Sequence, residues 1–415
     1  MNKFLFNVFT ALMLAVGVCF TSCSDDEDLV TVKFTAAPLF EETMSVAQLE
    51  GATVVFTEVR SQDKYACKLN ANGEGEVQLV LSTYDISIEE KIKDAEGNDM
   101  VISLRMENVS VNQEGQSIQG KANLVPSSAL GNNFIFSEIF FNGERNSGKM
   151  MHPDQYIVVY NPSNETLYAD GLCIAVTHHL SWWDKAMWYD EYYPTRVPVG
   201  GFITIPGSGK EHAVEPGERF VIAFTAIDHS DVDGYDHAVD LRGADYEVYY
   251  GPDANDVDNP EVPNVLITEN GDSFGFFMQP RGYVSPLMFK LENGNESTVK
   301  AFVAAHTSRS KNLIPADPEK GTPEEIVEID ILSVDTKDII DGVQTSDVPQ
   351  DVKTRVIPEI VDRGKFLVNG CHRQELAVRK SVVANGRTFY QDTNNSTNDF
   401  IMQHGQNSFP KGWRK

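Results

Sequence analysis

Residues 134–143 (FIFSEIFFNG) and 155–163 (QYIVVYNPS) decide the fold class, because each is a short run of aromatic and β-branched residues that ends in turn-forming residues. Runs of this length and composition are typical of β-strands. The pattern continues along the chain in residues 167–176 (LYADGLCIAV) and 216–223 (PGERFVIA), and a polar segment follows at 392–400 (DTNNSTNDF). The sequence therefore predicts a β unit that begins at about residue 133.

Residues 29–126 predict a separate β unit before it. Apolar and polar residues alternate, as in half-buried strands, in residues 29–36, 52–59, 77–81, 84–89, 101–111 and 117–125. Asn and Gly residues at 70–73 (NANG) and 96–99 (EGND) supply turns, because both residue types tolerate positive φ. A polar stretch at 126–133 (PSSALGNN) marks the boundary. We predict an all-β protein with two β-sandwich domains in tandem, at 29–126 and 133–410.

The five segments between residues 134 and 400 resemble, in the same order, the strands of the lamin-tail fold, an immunoglobulin-like sandwich. That family reads as an I-x-E-I strand, a Y-I-E-L-Y-N-P-S strand, a D-L-S-G-W strand, a P-G turn into a strand and a closing D-x-N-N-S-x-x-D-F. Val158 stands at the family's glutamate, and Cys173 or a neighbour stands at its tryptophan. The chain as a whole resembles a lamin-tail-like family of Bacteroidetes surface lipoproteins, which implies a fold and no particular activity.

Residues 52–88 resemble the transthyretin-like modules called carboxypeptidase regulatory-like domains, with Ser82-Thr83-Tyr84 in place of the usual Gly-x-Tyr. Such modules are β-sandwich spacers, so the resemblance implies that the first unit is a stalk. In the second unit, residues from about 177 to 362 are expected to form a large loop insertion at one end of the sandwich. Loops on a rigid scaffold often carry binding functions.

The N-terminus has the pattern of an exported lipoprotein. Residues 1–22 hold Lys3 and an apolar run that is too short for a stable transmembrane span, and Phe20-Thr21-Ser22 leads into Cys23. This resembles a bacterial lipobox, which implies a diacylglyceryl group on Cys23; the alternative is an ordinary signal peptide with a stray cysteine. The acidic tether at 23–28 (CSDDED) resembles the surface-export signal of Bacteroidetes lipoproteins, and its alternative is a solvated linker. We expect a lipid-anchored protein of the outer membrane, exposed at the cell surface, with the bilayer as a partner.

Charge and cysteine content limit the other partners. The formal net charge is −27, so nucleic acids would be repelled and none is expected as a partner. Once Cys19 is removed and Cys23 is acylated, Cys67, Cys173 and Cys371 remain, without a C-x-x-C motif. Buried free thiols are favoured, and a pairing of Cys173 with Cys371 stays open.

The run at 178–194 (HHLSWWDKAMWYDEYYP) concentrates aromatic residues among acids. Aromatic rings with polar tips suit contacts with sugars, aromatic ligands or a protein partner. The candidate ligand-binding residues are Trp182, Trp183, Trp188, Tyr189, Tyr192 and Tyr193. The alternative is a small satellite core that caps one end of the sandwich.

The acidic loops are candidates for a metal site. Residues 229–240 (HSDVDGYDHAVD) resemble part of the D-x-D-x-D-G calcium loop, with His229 at the first acid and Asp240 at the final glutamate. The candidate ligands are Asp231, Asp233, Asp236, His237, Asp256 and Asp258. Calcium is the cofactor that such oxygen donors would select, and the alternative is a solvated acidic turn.

No catalytic residues are identified. The G-x-S-x-G pattern at 271–275 (GDSFG) is followed by a strand-like run and Pro280, whereas a nucleophile elbow requires a helix there. The GSGK stretch at 207–210 lacks the other residues of a phosphate-binding loop. The sequence favours a non-enzymatic accessory or binding protein that contacts an outer-membrane transporter or a nutrient ligand. The alternatives are a metal-dependent hydrolase that uses the acidic loops and a structural or adhesive module.

Overall fold

The computed structural model describes residues 29–94, 97, 99–126, 133–144, 154–231, 238–270, 275–316, 319–347, 352–384 and 387–404. Within these ranges the chain forms 26 β-strands and three α-helices, of which the longest has 11 residues. The prediction of an all-β protein is therefore confirmed. None of the described helices combines the length and apolar composition needed to cross a bilayer. The signal segment 1–22 and the acidic tether with Cys23 lie outside the described residues.

The first seven strands form one antiparallel sheet, apart from a parallel pair between the first and the last strand. They are β1 (Val30–Pro38), β2 (Thr53–Glu58), β3 (Lys64–Lys68), β4 (Glu74–Leu79), β5 (Ser82–Lys93), β6 (Asp99–Val111) and β7 (Ser117–Pro126). The strand order is β3-β2-β5-β6-β7-β1-β4, so the sheet folds back on itself and encloses its own core.

Alternation of side chains builds this core, as the sequence predicted. The rings of Phe34, Phe56 and Tyr84 lie in it with edge-to-face contacts, at centroid distances of 5.7 Å and 6.5 Å. Such aromatic pairs add to the free energy gained by burying their apolar surface. Sequence reasoning missed β3. This edge strand has no buried residue, so its sequence lacks the alternation of apolar and polar residues that identifies a strand.

The rest of the chain supplies nineteen further strands within the described ranges. In chain order these are β8 (Ile135–Asn142), β9 (Tyr156–Tyr160), β10 (Leu167–Tyr168), β11 (Leu172–Thr177), β12 (Arg196–Thr204), β13 (Ala213–Val214), β14 (Arg219–Phe224), β15 (Tyr246–Val248), β16 (Leu266–Glu269), β17 (Pro286–Lys290), β18 (Thr307–Ile314), β19 (Glu325–Asp335), β20 (Ile339–Gly342), β21 (Thr345–Ser346), β22 (Phe366–Leu367), β23 (Glu375–Arg379), β24 (Ser381–Ala384), β25 (Arg387–Tyr390) and β26 (Phe400–His404). The helices are α1 (Tyr189–Tyr192), α2 (Glu296–His306) and α3 (Ser396–Asp399).

Two sheets from this set pack face to face. One has the order β15-β14-β9-β8-β23-β26, and the other has the order β18-β19-β12-β11-β17-β20 with β16 paired to β12. The core between them joins residues of β8, β9 and β14 to residues of β11, β12 and β17. This arrangement is a β-sandwich.

Both outer faces of the sandwich are also covered. Helix α2 packs Val299 and Phe302 on the outer face of one sheet, where the Phe302 ring stacks on Phe289 at 5.0 Å. Apolar residues of the 226–262 region, among them Leu241 and Val262, cover the outer face of the other sheet. Strands such as β9 and β11 are therefore buried along their whole length. Sites accessible to ligands are restricted to the edges and loops.

The segment from about 177 to 362 does not form the loop insertion that we expected. It supplies β12 and β17 to the interior of one sheet and β14 to the other sheet. The physical reason for the difference is that β12 is covered on both faces. Six consecutive residues at its end are buried, so apolar and polar residues do not alternate in its sequence. The described residues between 177 and 362 are therefore an integral part of the sandwich.

Ion pairs connect the first sheet to the sandwich. Lys380 Nζ lies 2.8 Å from a Glu42 carboxylate oxygen, and Arg363 Nη1 lies 3.4 Å from Asp94 Oδ2. A groove of about 800 Å³ is lined by residues of both parts of the chain, among them Arg105 and Arg387.

Arg379, at the end of β23, is the largest polar side chain in the interior and is 2% exposed. Its guanidinium lies 2.8 Å from Asp341, 3.1 Å from Asp392 and 3.9 Å from Asp399. It also donates hydrogen bonds to the carbonyl oxygens of Phe136 and Gln391. Asp341 belongs to β20 of the other sheet, so the interaction joins the two sheets and the closing 392–400 segment.

We predict that Arg379→Met lowers the free energy of unfolding by about 3–5 kcal/mol, because it leaves buried carboxylates without their cation. Arg309→Met is the matched control. Arg309 also pairs with two acids, Glu328 and Asp330, but its side chain is 64% exposed. That substitution should cost at most about 1 kcal/mol. Urea denaturation of both variants measures the difference, and equal losses would contradict the assigned role of Arg379.

Candidate functional site

The structure divides the aromatic run at 178–194 into a buried part and an exposed part. Trp188, Tyr189 and Tyr192 are at most 5% exposed, whereas Trp182 and Trp183 are 39% and 37% exposed. Tyr193 is half-buried beside the first group. The satellite core accounts for Trp188, Tyr189 and Tyr192. For the exposed Trp182 and Trp183, ligand binding stays a prediction.

The buried part is a compact aromatic cluster around α1. The Trp188 and Tyr192 rings meet edge to face at 5.9 Å, and Tyr189 stacks on Tyr193 at 5.0 Å. The Tyr192 hydroxyl forms hydrogen bonds of 2.7 Å and 2.8 Å with two serine hydroxyls of β18, while the Tyr189 hydroxyl donates to a backbone carbonyl. Because their polar tips have partners inside the protein, these rings act as a rigid support.

The exposed part is a small surface that we call the Trp182–Trp183 face, formed by Trp182, Trp183 and Tyr283. The two tryptophan rings lie 6.2 Å apart, and Trp182 lies 5.5 Å from the Tyr283 ring at an angle of 35°. Sequence reasoning missed Tyr283, because it lies 89 positions after Pro194, the end of the run, and only the fold brings it close. The face thus combines a sequence motif with a residue supplied by tertiary structure.

Backbone hydrogen bonds hold this face in place. Ser181 N donates to the Tyr283 carbonyl at 2.8 Å, and the Ser181 carbonyl accepts from Lys353 N and Thr354 N at 2.9 Å. The Thr354 hydroxyl donates to the Trp183 carbonyl at 2.6 Å. A loop anchored at three places loses little conformational entropy when a partner binds.

His179 lies under the face, between it and the buried cluster. Its ring is 5.8 Å from Trp183 and 5.6 Å from Trp188, and the residue is buried. Burial lowers the pKa of His179 below its usual value. The imidazole is therefore neutral at pH 7 and packs as an aromatic ring.

Charged side chains of both signs surround the face. Lys353 Nζ lies 3.6 Å from Asp184, and Lys185 Nζ lies 2.9 Å from Asp190. All four side chains are about half exposed or more. An aromatic centre with a mixed charged rim has the composition of a protein interface.

In the acidic loops, the Asp256 carboxylate stabilises the local backbone. The Asp256 carboxylate accepts hydrogen bonds from the Thr225 hydroxyl and from the backbone N–H groups of Tyr250 and Val257. Asp258 accepts from the Asn264 side chain, and Asp231 is exposed. Asp231, Asp256 and Asp258 do not come together as a group of metal ligands.

The other three candidate ligands, Asp233, Asp236 and His237, lie outside the described residues. The calcium site stays a prediction for that reason.

The GSGK stretch at 207–210 forms a loop around a carboxylate of the protein itself. Asp170 is fully buried, and its oxygens accept hydrogen bonds from the backbone N–H groups of Gly209, Glu211 and His212. Burial alone would raise the pKa of Asp170, but these hydrogen bonds together lower it. The resemblance to a phosphate-binding loop thus has a physical basis, since the backbone does bind an anion, and that anion is Asp170.

Asp170, Glu211 and His212 are also the described residues whose metal-ligating atoms lie within 4.8 Å of one another. The Lys290 ammonium donates to the Asp170 carbonyl at 2.8 Å. A positive charge beside the group opposes a bound cation. The proximity of Asp170, Glu211 and His212 is therefore explained by the hydrogen bonds that Asp170 accepts from the loop, without a metal ion.

The cysteines and the G-x-S-x-G pattern are the two remaining sequence features. Cys173 is a buried free thiol, so it forms no disulfide with Cys371, and burial raises its pKa to about 12. Cys67 is also a free thiol. Four residues of the G-x-S-x-G pattern, 271–274, lie outside the described residues.

Comparisons with known proteins support the fold. Residues 215–407 match the sequence profile of a family described as protein of unknown function (DUF4876). The crystal structure of a DUF4876 family protein from Bacteroides thetaiotaomicron superposes with a TM-score of 0.57 at 18% identity, and the alignment covers 93% of this chain and 98% of that chain. At this identity the similarity shows a shared fold. The similarity to a Bacteroides protein agrees with the expected resemblance to a Bacteroidetes family. It does not test the lamin-tail-like or the transthyretin-like resemblance.

Other similarities are too weak to carry an argument. A DUF3823 family protein from Parabacteroides merdae has a TM-score of 0.16 at 7% identity, covering 37% of this chain and 69% of that chain. A cohesin–X-dockerin complex from Acetivibrio cellulolyticus has a TM-score of 0.17 at 17% identity, covering 23% of this chain and 58% of that chain. A search of curated proteins found no match.

We predict that Trp188→Ala and Trp182→Ala have very different effects on stability. Removal of the buried Trp188 ring should cost about 3–5 kcal/mol, because it leaves a cavity in the aromatic cluster. Removal of the exposed Trp182 ring should change stability by about 1 kcal/mol or less. Chemical denaturation checks both values, and a tolerated Trp188→Ala variant would show that the cluster does not support the loop.

Proposed function

We propose that this chain, which shares its fold with a DUF4876 protein, is a lipid-anchored binding protein of the outer cell surface. It contacts a membrane partner through the Trp182–Trp183 face, and we take that partner to be an outer-membrane transporter. The observation that carries the proposal is the exposure of two adjacent tryptophans, at 39% and 37%, on a loop whose other aromatic rings are largely buried.

Physical chemistry favours a protein partner for this face. Tryptophan is enriched among the residues that contribute most to protein interfaces, and a rigid ring loses little entropy when it is covered. The rim pairs Asp184–Lys353 and Lys185–Asp190 can exchange partners with a charged surface and so give specificity. Trp188, Tyr189 and Tyr192 support the face from below, while Tyr193 lies beside them.

The anchor is the lipidated Cys23 of the sequence prediction. The tether at 23–28 spans at most about 20 Å. The sheet that begins at Val30 therefore lies close to the membrane and serves as the stalk. We further propose that this sheet is a transthyretin-like module and that the sandwich after it is lamin-tail-like.

We predict that Cys23→Ser moves the protein from the membrane fraction to the soluble fraction, because the thiol is the acylation site. Mass spectrometry of the native protein should show a diacylglyceryl group on a new N-terminal cysteine. Cys67→Ser is the control and should stay in the membrane fraction, since Cys67 is an internal thiol. A Cys23→Ser variant that remains in the membrane with an unmodified N-terminus would refute the anchor.

We predict that a photo-crosslinking residue at Met187, which is 50% exposed and follows Trp183 in the same run, captures an integral outer-membrane protein in intact cells. The double variant Trp182→Ala, Trp183→Ala should abolish this crosslink, because it removes the apolar surface that the partner covers. The same crosslinker at Val383, which is 76% exposed on β24, is the control and should not capture that protein. Identical products at both positions, or a crosslink that persists in the double variant, would refute the proposal.

A further inference from the structure

A cleft of about 830 Å³ lies beside the buried Arg379 group and takes no part in the proposed function. It is bounded by the start of β12, the connection between β19 and β20, the loop at 360–361 and Asn394. Its apolar wall consists of Pro194, Ile339, Ile340, Ile360 and Val361. Clefts of this size, with apolar walls and a few polar groups, are typical of small-molecule sites.

Four charged residues line the same cleft, and three of them have partners. The Asp341 carboxylate accepts hydrogen bonds from Phe136 N, Gly342 N and the Arg379 guanidinium. Asp335 lies 3.8 Å from Lys337 Nζ. Neither acid is therefore an uncompensated charge in the cleft.

The fourth charged residue, Arg196, has no acidic partner in the part of the chain that the structure describes. Its guanidinium carbon lies 4.4 Å from the centre of the Tyr192 ring, and it makes no ion pair or hydrogen bond within the described residues. Asp335 stands opposite Arg196 in the β12–β19 pair, yet the two side chains do not form an ion pair. Arg219, Arg355 and Arg387 also lack an ion pair among the described residues, but each donates a hydrogen bond to an oxygen of the protein.

These observations define the ligand chemistry. A guanidinium offers several N–H donors in a planar fork that fits a carboxylate. The adjoining wall of isoleucine, valine and proline fits an apolar body. Arg196 can neutralise one negative charge, and the net charge of −27 of the whole chain would repel a ligand that carries several.

We propose that the cleft binds a single-chain amphipathic carboxylate, with its carboxylate on Arg196 and its apolar chain against Ile339, Ile340 and Ile360. The site is distinct from the Trp182–Trp183 face, because none of the three residues of that face lines the cleft. The proposal does not depend on the transporter partner and adds a small-molecule activity to the protein.

The test is isothermal titration of the full mature protein with decanoate, below the critical micelle concentration. Decanoate should bind, while decanol, which has the same chain without the charge, should bind at least about tenfold more weakly. Propanoate, which has the charge without the chain, should give no measurable binding. Absence of decanoate binding, or equal binding of decanol and decanoate, would overturn the proposal.

Two pairs of variants identify the site. Arg196→Gln should weaken decanoate binding by at least about tenfold and leave decanol binding unchanged, while Arg196→Lys should retain most of the affinity, since it keeps the charge. Circular dichroism and thermal denaturation check that the Gln variant remains folded, because Arg196 also contacts Tyr192.

Ile360→Asp provides a test that does not alter the core, because Ile360 is 76% exposed at the mouth of the cleft. It should reduce decanoate binding by at least about tenfold, since it places a negative charge next to the carboxylate site. Val383→Asp, at a position of equal exposure outside the cleft, should have no effect. Unchanged binding in both Arg196→Gln and Ile360→Asp would place decanoate elsewhere and overturn the proposal.

Discussion

The buried guanidinium of Arg379 is the constraint on which the second part of the structure depends. It brings together β23, the Phe136 carbonyl of β8, Asp341 of β20 and the acids of the closing segment. A buried cation is tolerated only when its donors have acceptors, so all of these elements must be in place at once. The interaction therefore sets how the two sheets are aligned and where the last strand returns, and it also forms the floor of the cleft through Asp341.

Covering of both sheet faces explains why the candidate sites lie where they do. Helix α2 and the 226–262 region leave edges and connections as the accessible surfaces. The aromatic run around α1 serves two of them, because it carries Trp182 and Trp183 at one end and presents the Tyr192 ring to Arg196 at the other. A short run of rings thus supports an exposed aromatic face and positions the charged residue of a cleft.

The sequence predicted the fold best where one side of a strand faces solvent. Alternation marks six of the seven strands in residues 29–126, whereas β12 is buried on both sides and shows no alternation that would distinguish it from a loop insertion. The aromatic run was recognised, but its division into exposed Trp182 and buried Trp188 could not be predicted, since composition does not distinguish the two. Tyr283 and Arg196 carry no local signal, because their roles depend on contacts made by distant strands.

The high content of acidic residues has two possible explanations, metal binding and the stabilisation of loops. Asp170, Asp256 and Asp341 are all buried, and each accepts hydrogen bonds from backbone N–H groups. A protein built from short strands and many connections has many such donors, and carboxylates satisfy them well. A high acid content is then partly a requirement of loop structure, so it does not by itself indicate a metal site. Arg196 differs from these carboxylates because it has neither an ion pair nor a hydrogen bond among the described residues and lines a cleft with an apolar wall. Its guanidinium is therefore available to an anionic group that enters the cleft.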